Sequence, residues 1–154
     1  MSEFEFDLET FLPFRIHQAS EAVSQSFRAV YRAEYNMTRS QWRVLAHLGQ
    51  YGAMTATEIS ESAGLHKTKV SRAVRDLEQR RWLNRQADQR DRRVQILQLT
   101  SQGKSAYQRL GKLARIYNRQ LAQKMGQSDF DAALALTRTL HRAVGGSSSG
   151  SGRD

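Results

Sequence analysis

Cysteine is absent from the 154 residues, which removes disulfides, thiolate metal sites and cysteine-based redox sensing together. Long apolar runs are missing too. No stretch approaches the roughly 18 residues a membrane helix needs, and no apolar segment follows a basic amino end. Neither a membrane span nor a secretory signal is expected, and the cytoplasm is the expected location. Proline occurs once, as Pro13, early in an amphipathic segment where a helix tolerates it. Catalytic patterns are lacking as well. His17, His47, His66 and His141 are scattered without metal-ligand spacing, and no Gly-rich phosphate loop or nucleophile elbow is found. Asp88 and Asp91 form one carboxylate pair, but among so many arginines they are expected to be ion-paired, which is wrong for an acid catalyst. No enzyme activity, metal or cofactor is expected.

Acidic residues are the minority, 15 against 24 Lys and Arg, for a net charge of +9. The excess is concentrated. Residues 65–93 hold ten Lys/Arg against four Asp/Glu, whereas Glu3, Glu5, Asp7 and Glu9 precede any basic residue. A localised cationic field steers a polyanion and releases its counterions on contact. A basic membrane-surface protein is the competing reading. It fits poorly, because no Trp/Phe/Leu face accompanies a Lys-rich one.

Within the basic window, Val70, Ala73, Val74 and Leu77 fall at helical spacing, and Thr68, Ser71, Arg72 and Arg75 repeat that spacing on the other face. Ile59, Ala63 and Leu65 supply apolar partners before it, and Gly64 stands where the chain must turn. This is the division a helix-turn-helix requires, with an inner face for the core and an outer face for the major groove. An amphipathic helix with a solvated cationic face is the plainer alternative. Strand-like runs follow at Leu83–Ala87 and Val94–Thr100, separated by the charged stretch Asp88–Arg93. They predict a β-hairpin with a basic tip, a wing. Val94 and Ile96 point opposite to Leu97 and Leu99, so both faces are expected to be partly covered.

These elements resemble the MarR family of winged-helix transcriptional regulators. The resemblance rests on Gln41-Trp42-Arg43-Val44-Leu45, Thr57-Glu58-Ile59, Lys67-Thr68-Lys69-Val70-Ser71-Arg72, Asp91-Arg92-Arg93, and Leu99-Thr100 followed by Gly103. It covers residues 38–103 in family order and spacing. It implies that Arg93 reaches the minor groove or its phosphates while Asp91 orients a neighbouring arginine. One departure is His66, where the family often has a capping Ser. Histidine caps less well, so the helix start is expected to rely on Thr68 or on a ligand phosphate.

On this basis Lys67, Thr68, Lys69, Ser71, Arg72, Arg75, Arg90, Arg92 and Arg93 are the candidate DNA contacts. Arg72 is the choice for a guanine edge. Lys67, Lys69, Arg80 and Arg81 are read as phosphate ligands or solvated charges. Arg90 and Arg93 are expected in or beside a minor groove. Arg92 contacts backbone or pairs with Asp88; the sequence leaves both open.

Three further amphipathic segments flank the basic region: residues 8 to about 35, 101–125, and 129–144, the last with Ser128-x-x-Asp131 resembling a capping box. They carry more apolar surface than a small winged helix covers. The expected fold is therefore mainly α with a small β-hairpin wing, a winged helix-turn-helix with terminal helices forming a dimerisation region. The divisions expected are 1–37 (N-terminal helix, dimerisation), 38–100 (DNA-binding domain), 101–144 (C-terminal helices, dimerisation) and 145–154 (a flexible Gly/Ser tail). A monomeric bundle is the alternative.

The function expected is a ligand-responsive, sequence-specific regulator. It is expected to repress, binding double-stranded DNA at an inverted-repeat operator as a homodimer. The family resemblance implies release by a small aromatic or phenolic acid or its coenzyme A thioester. Arg15, His17 and Trp42 are candidate ligand contacts, since an arginine and a histidine near an aromatic suit an anionic aromatic guest. Trp42 also fits the core, and Arg15 and His17 also fit a dimer surface. A winged-helix module for protein contact or non-specific DNA binding is the second functional class.

Overall fold

The computed structural model describes residues 5–145. It contains two compact units, one ending at Leu113 and the other beginning at Ala114.

In the first unit a 3-10 turn at Leu8–Thr10 leads into helix α1, Leu12–Tyr35, with Pro13 in its opening turn. The structure thus divides the single segment predicted from residue 8, with the break at Phe11. Asn36, in a left-handed conformation, ends α1. Helix α2, Arg39–Tyr51, starts after a reciprocal cap between Thr38 and Gln41. Gln41 is buried, and its amide also donates to Asp76 Oδ2 at 2.9 Å. That bond ties the start of α2 to helix α4, Lys67–Gln79.

Strand β1 (Met54–Thr55) and helix α3 (Ala56–Ala63) lie between α2 and α4. After α4 come β2, Leu83–Ala87, and β3, Gln95–Leu99. The sheet order is β1-β3-β2, antiparallel throughout, with Met54 opposite Leu97 and Leu83 opposite Leu99. The hairpin was expected; β1 was not, and it adds a third strand. Leu97 and Leu99 are buried while Val94 and Ile96 are half-buried, as the mixed alternation implied.

The core is formed by Val44, Leu45 and Leu48 of α2, Ile59 of α3, the apolar stripe of α4, Leu83, Leu97 and Leu99 of the sheet, and Leu110 of helix α5, Ser101–Met125. Thr100 caps α5, accepting from Gly103 N at 3.1 Å and donating to Arg81 O at 2.7 Å.

The second unit holds the remainder of α5 and helix α6, Gln127–Gly145. Gly126, at φ 92°, makes the break between them. Helix α6 begins before the predicted Ser128 cap. Asp131 instead accepts from the Gln127 side chain at 2.9 Å. No α6 residue is buried, and Leu134 and Leu136 are exposed. Among the described residues no helix is long and apolar enough to cross a membrane. The tail expected from 145 lies outside the described residues from 146 onward.

Candidate nucleic-acid interface

Helix α3 and the turn that joins it to α4 are fixed by three local constraints. A second reciprocal cap, between Thr55 and Glu58, starts α3. Gly64 adopts φ 61°, which a residue with a Cβ enters only at a cost, and it ends α3. The Leu65 amide then donates to Ser60 O at 3.1 Å, and the Ser60 hydroxyl donates to Leu65 O at 2.6 Å. Leu65 is buried beneath this turn.

His66 caps α4 itself, with Nδ1 accepting from the Thr68 amide at 3.2 Å. This corrects the expectation that the helix start depends on Thr68 or on an incoming phosphate. The nitrogen lone pair does the work a serine oxygen does elsewhere.

With that start, α4 presents two chemically distinct faces. Val70, Ala73, Val74 and Leu77 are buried, at 2% exposure or less. Lys67, Thr68, Lys69, Ser71, Arg72 and Arg75 are all exposed. Behind the stripe, Glu78 pairs with Arg85 at 3.0 Å and couples the end of α4 to β2.

At the wing tip, the Asp88 amide donates to Val94 O at 2.9 Å and closes the loop. Asp91 Oδ1 accepts from both the backbone N and the Nε of Arg93 at 3.1 Å. The Arg93 side-chain bond, followed by its amide, holds the Asp91 carboxyl below its ordinary value. The Arg93 side chain remains 91% exposed. It is aimed but not covered. Asp88 accepts from the Arg90 amide at 3.4 Å, and no Asp88–Arg92 ion pair forms among the described residues. Arg90 and Arg92 stand in solvent.

Residues 35–94, from the end of α1 through the wing, match the model of the MarR family. That segment carries the MarR-family pattern. Among curated relatives, the HTH-type transcriptional regulator FarR of Neisseria gonorrhoeae is 28% identical over 94 residues, 61% of this chain and 64% of FarR. The matched stretch spans 44% to 64% of the curated relatives' lengths. Among solved structures, the transcriptional repressor CouR bound to a 23-mer DNA duplex is 28% identical with a TM-score of 0.77, covering 92% of this chain and all of CouR's. NadR in complex with 4-hydroxyphenylacetate shares the fold, at 20% identity and a TM-score of 0.76 over 86% of this chain and 96% of NadR's.

The three candidate ligand contacts are not brought together within the chain. Trp42 stacks on Tyr31 at 6.1 Å and packs against Phe27 at 5.4 Å, both in the second half of α1. Arg15 pairs with Glu9 at 2.9 Å near the other end of α1, where His17 is also exposed. Ten or more residues of helix separate them from Phe27, about 15 Å. Arg80 is not simply a solvated charge, one of the two roles expected of it. Its guanidinium donates to Tyr35 O at 2.7 Å and Asn36 O at 3.2 Å and lies 5.1 Å over the Trp82 ring. It clamps the α1–α2 turn to the end of α4.

Sequence reasoning also missed Arg28, Arg32, Arg39 and Arg43, which line a groove beside α4. Their signal was present as two Arg pairs at i, i+4 spacing, but nothing in the pattern says that two separate helices turn those pairs toward one hollow.

Proposed function

We propose that this protein is a transcriptional regulator that binds double-stranded DNA as a homodimer, laying α4 in the major groove and the wing along a minor groove. The observation that carries this is the division of α4, with four apolar residues fully in the core and six polar or basic ones fully outside it. Arg72 reads a guanine edge, Lys67 and Lys69 hold phosphates, and Thr68, Ser71 and Arg75 complete the contact surface. Arg90, Arg92 and Arg93 serve the wing, with Asp91 orienting Arg93. FarR and CouR, the one an HTH-type regulator and the other bound to a duplex, support the reading.

The homodimer follows from apolar surface left uncovered on α1 and α6. Phe11, Leu12, Ile16, Leu134 and Leu136 are between 39% and 62% exposed. A two-fold axis relating two chains makes the target an inverted repeat. We further infer repression relieved by a small aromatic or phenolic acid, or its coenzyme A thioester, a reading supported by the family and by the 4-hydroxyphenylacetate bound to NadR. Since Arg15 and His17 lie far along α1 from Trp42, one chain alone does not assemble that pocket. A partner subunit would have to bring its own α1 start to Trp42.

Selection from random duplexes tests the central reading. An enriched inverted repeat with half-sites about one helical turn apart is the expected result. Binding without enrichment would assign the chain to the non-specific or protein-contact class, and no complex in dilute buffer would end the DNA reading. A thermal-shift panel of aromatic acids tests the effector, and R15A/H17A with an unchanged response would remove those two residues from it.

A further inference from the structure

A groove of about 620 Å³ opens between the second half of α1, the start of α2 and the α3–α4 turn. Arg28 and Arg32 reach it from α1, Arg39 and Arg43 from α2, and Lys69 from α4, and no carboxylate lines it. Within each helix the two arginines are four residues apart, a spacing at which like charges repel. Among the described residues only Arg39 of these has a carboxylate partner, Glu21, at 2.8 and 3.2 Å. Among the described residues Arg28, Arg32, Arg43 and Lys69 form no ion pair, whereas Arg15, Arg85, Arg93 and Arg109 each do. The lining also includes the cap and first-turn residues of α2, and the cap of α4, where helix dipoles add positive potential. Met37 and Leu65, both buried, form an apolar floor.

The groove is distinct from the outer stripe of α4. Of the proposed DNA contacts only Lys69 lines it. A smaller hollow of about 210 Å³, lined by Arg72 and Asp76 among others, shares Thr38, Ser40 and Lys69 with it. A duplex backbone is convex, whereas a concave hollow lined by cations admits a compact anion. Four unpaired cations on three helices exceed what one phosphate can reach and match a ligand with several anionic oxygens.

We propose that this groove binds a soluble small anion carrying two or more phosphoryl groups, and that occupation withdraws Lys69 from the DNA backbone. The second clause rests on the DNA-binding function above; the binding itself does not.

The test uses the full chain at fixed ionic strength, with inorganic pyrophosphate and ADP as probes and citrate as the phosphate-free anion, read by titration calorimetry. Both probes are expected to bind more tightly than citrate. R28A/R32A should weaken them by about tenfold or more, while R115A/R119A, exposed arginines of α5 outside the groove, should not. Pyrophosphate should release duplex from the wild type and fail to do so from R28A/R32A. Arg43→Gln, which keeps the side chain's bulk, provides the same comparison should R28A/R32A lose its helical circular dichroism. Absence of binding, equal affinity for citrate, or equal affinity in groove variants and wild type would overturn the proposal. Pyrophosphate binding by a chain that ignores every duplex would leave the groove standing and sink the DNA reading instead.

Discussion

A single added methyl group at Gly103 would meet the carbonyl oxygen of Trp82 at well under van der Waals distance. That carbonyl already accepts from the Thr100 amide at 2.9 Å, so it has little freedom to retreat. Gly103→Ala is therefore expected to destabilise by about 1–3 kcal/mol through overpacking, despite alanine's better helix propensity of roughly 1 kcal/mol. Gly111, also in α5, has open space where a Cβ would stand. Gly111→Ala should gain up to about 1 kcal/mol. Urea midpoints at constant slope check both, and two shifts of the same sign would refute the steric account. At the wing the deciding contact is electrostatic. Arg93 lowers the Asp91 carboxyl below its ordinary 3.8, so the pair is intact above that value and is lost as pH falls through the lowered one. The Arg93 Nε resonance should stay constant above about pH 5 and move on further acidification. In Asp91→Asn it should show no such step.

Among the elements, α4 depends on how it begins. The His66 imidazole takes the place of a hydroxyl cap, so His66→Ala should cost about 1 kcal/mol while His66→Ser should be nearly neutral, as measured by urea unfolding. An unchanged midpoint in the alanine variant would mean the cap bond contributes nothing in water. Helix α4 was legible in the sequence because its apolar and basic residues each repeat at helical spacing, and the β2–β3 hairpin because a charged tip separates two apolar runs. Strand β1 was not legible: two residues carry no period, and only pairing with β3 makes Met54 and Thr55 a strand. Arg80 was misread for a related reason. Its partners are backbone carbonyls 44 and 45 residues away, and side-chain patterns do not reveal carbonyls. The start of α6 was missed because Ser128 resembles a cap, whereas Gly126 had already let the chain turn. The groove arginines were hidden since each pair, taken alone, looks like the solvated side of an ordinary helix.

For the whole molecule, the proposed function requires two chains, and the exposed apolar residues of α1 and α6 are where the second chain would be felt. Sedimentation should give a species of about twice 17.6 kDa. Leu136→Glu, at a position 62% exposed in the single chain, should then shift the mass toward the monomer with little loss of helicity. Duplex affinity should fall by about 10²–10⁴-fold as the two half-sites lose their tether. A variant that stayed dimeric would place the interface elsewhere. The proposed dimer would also impose a phase on the DNA. Two recognition helices held one helical turn apart can meet only half-sites on the same face of the duplex. Inserting about five base pairs at the centre of a selected repeat turns one half-site to the far side, and affinity should drop to that of a single half-site. A further five, restoring the phase at twice the distance, should not recover it, because a rigid pair of subunits has one span. Recovery at the longer spacing would mean that the two α4 helices are carried on a flexible connection rather than a fixed interface.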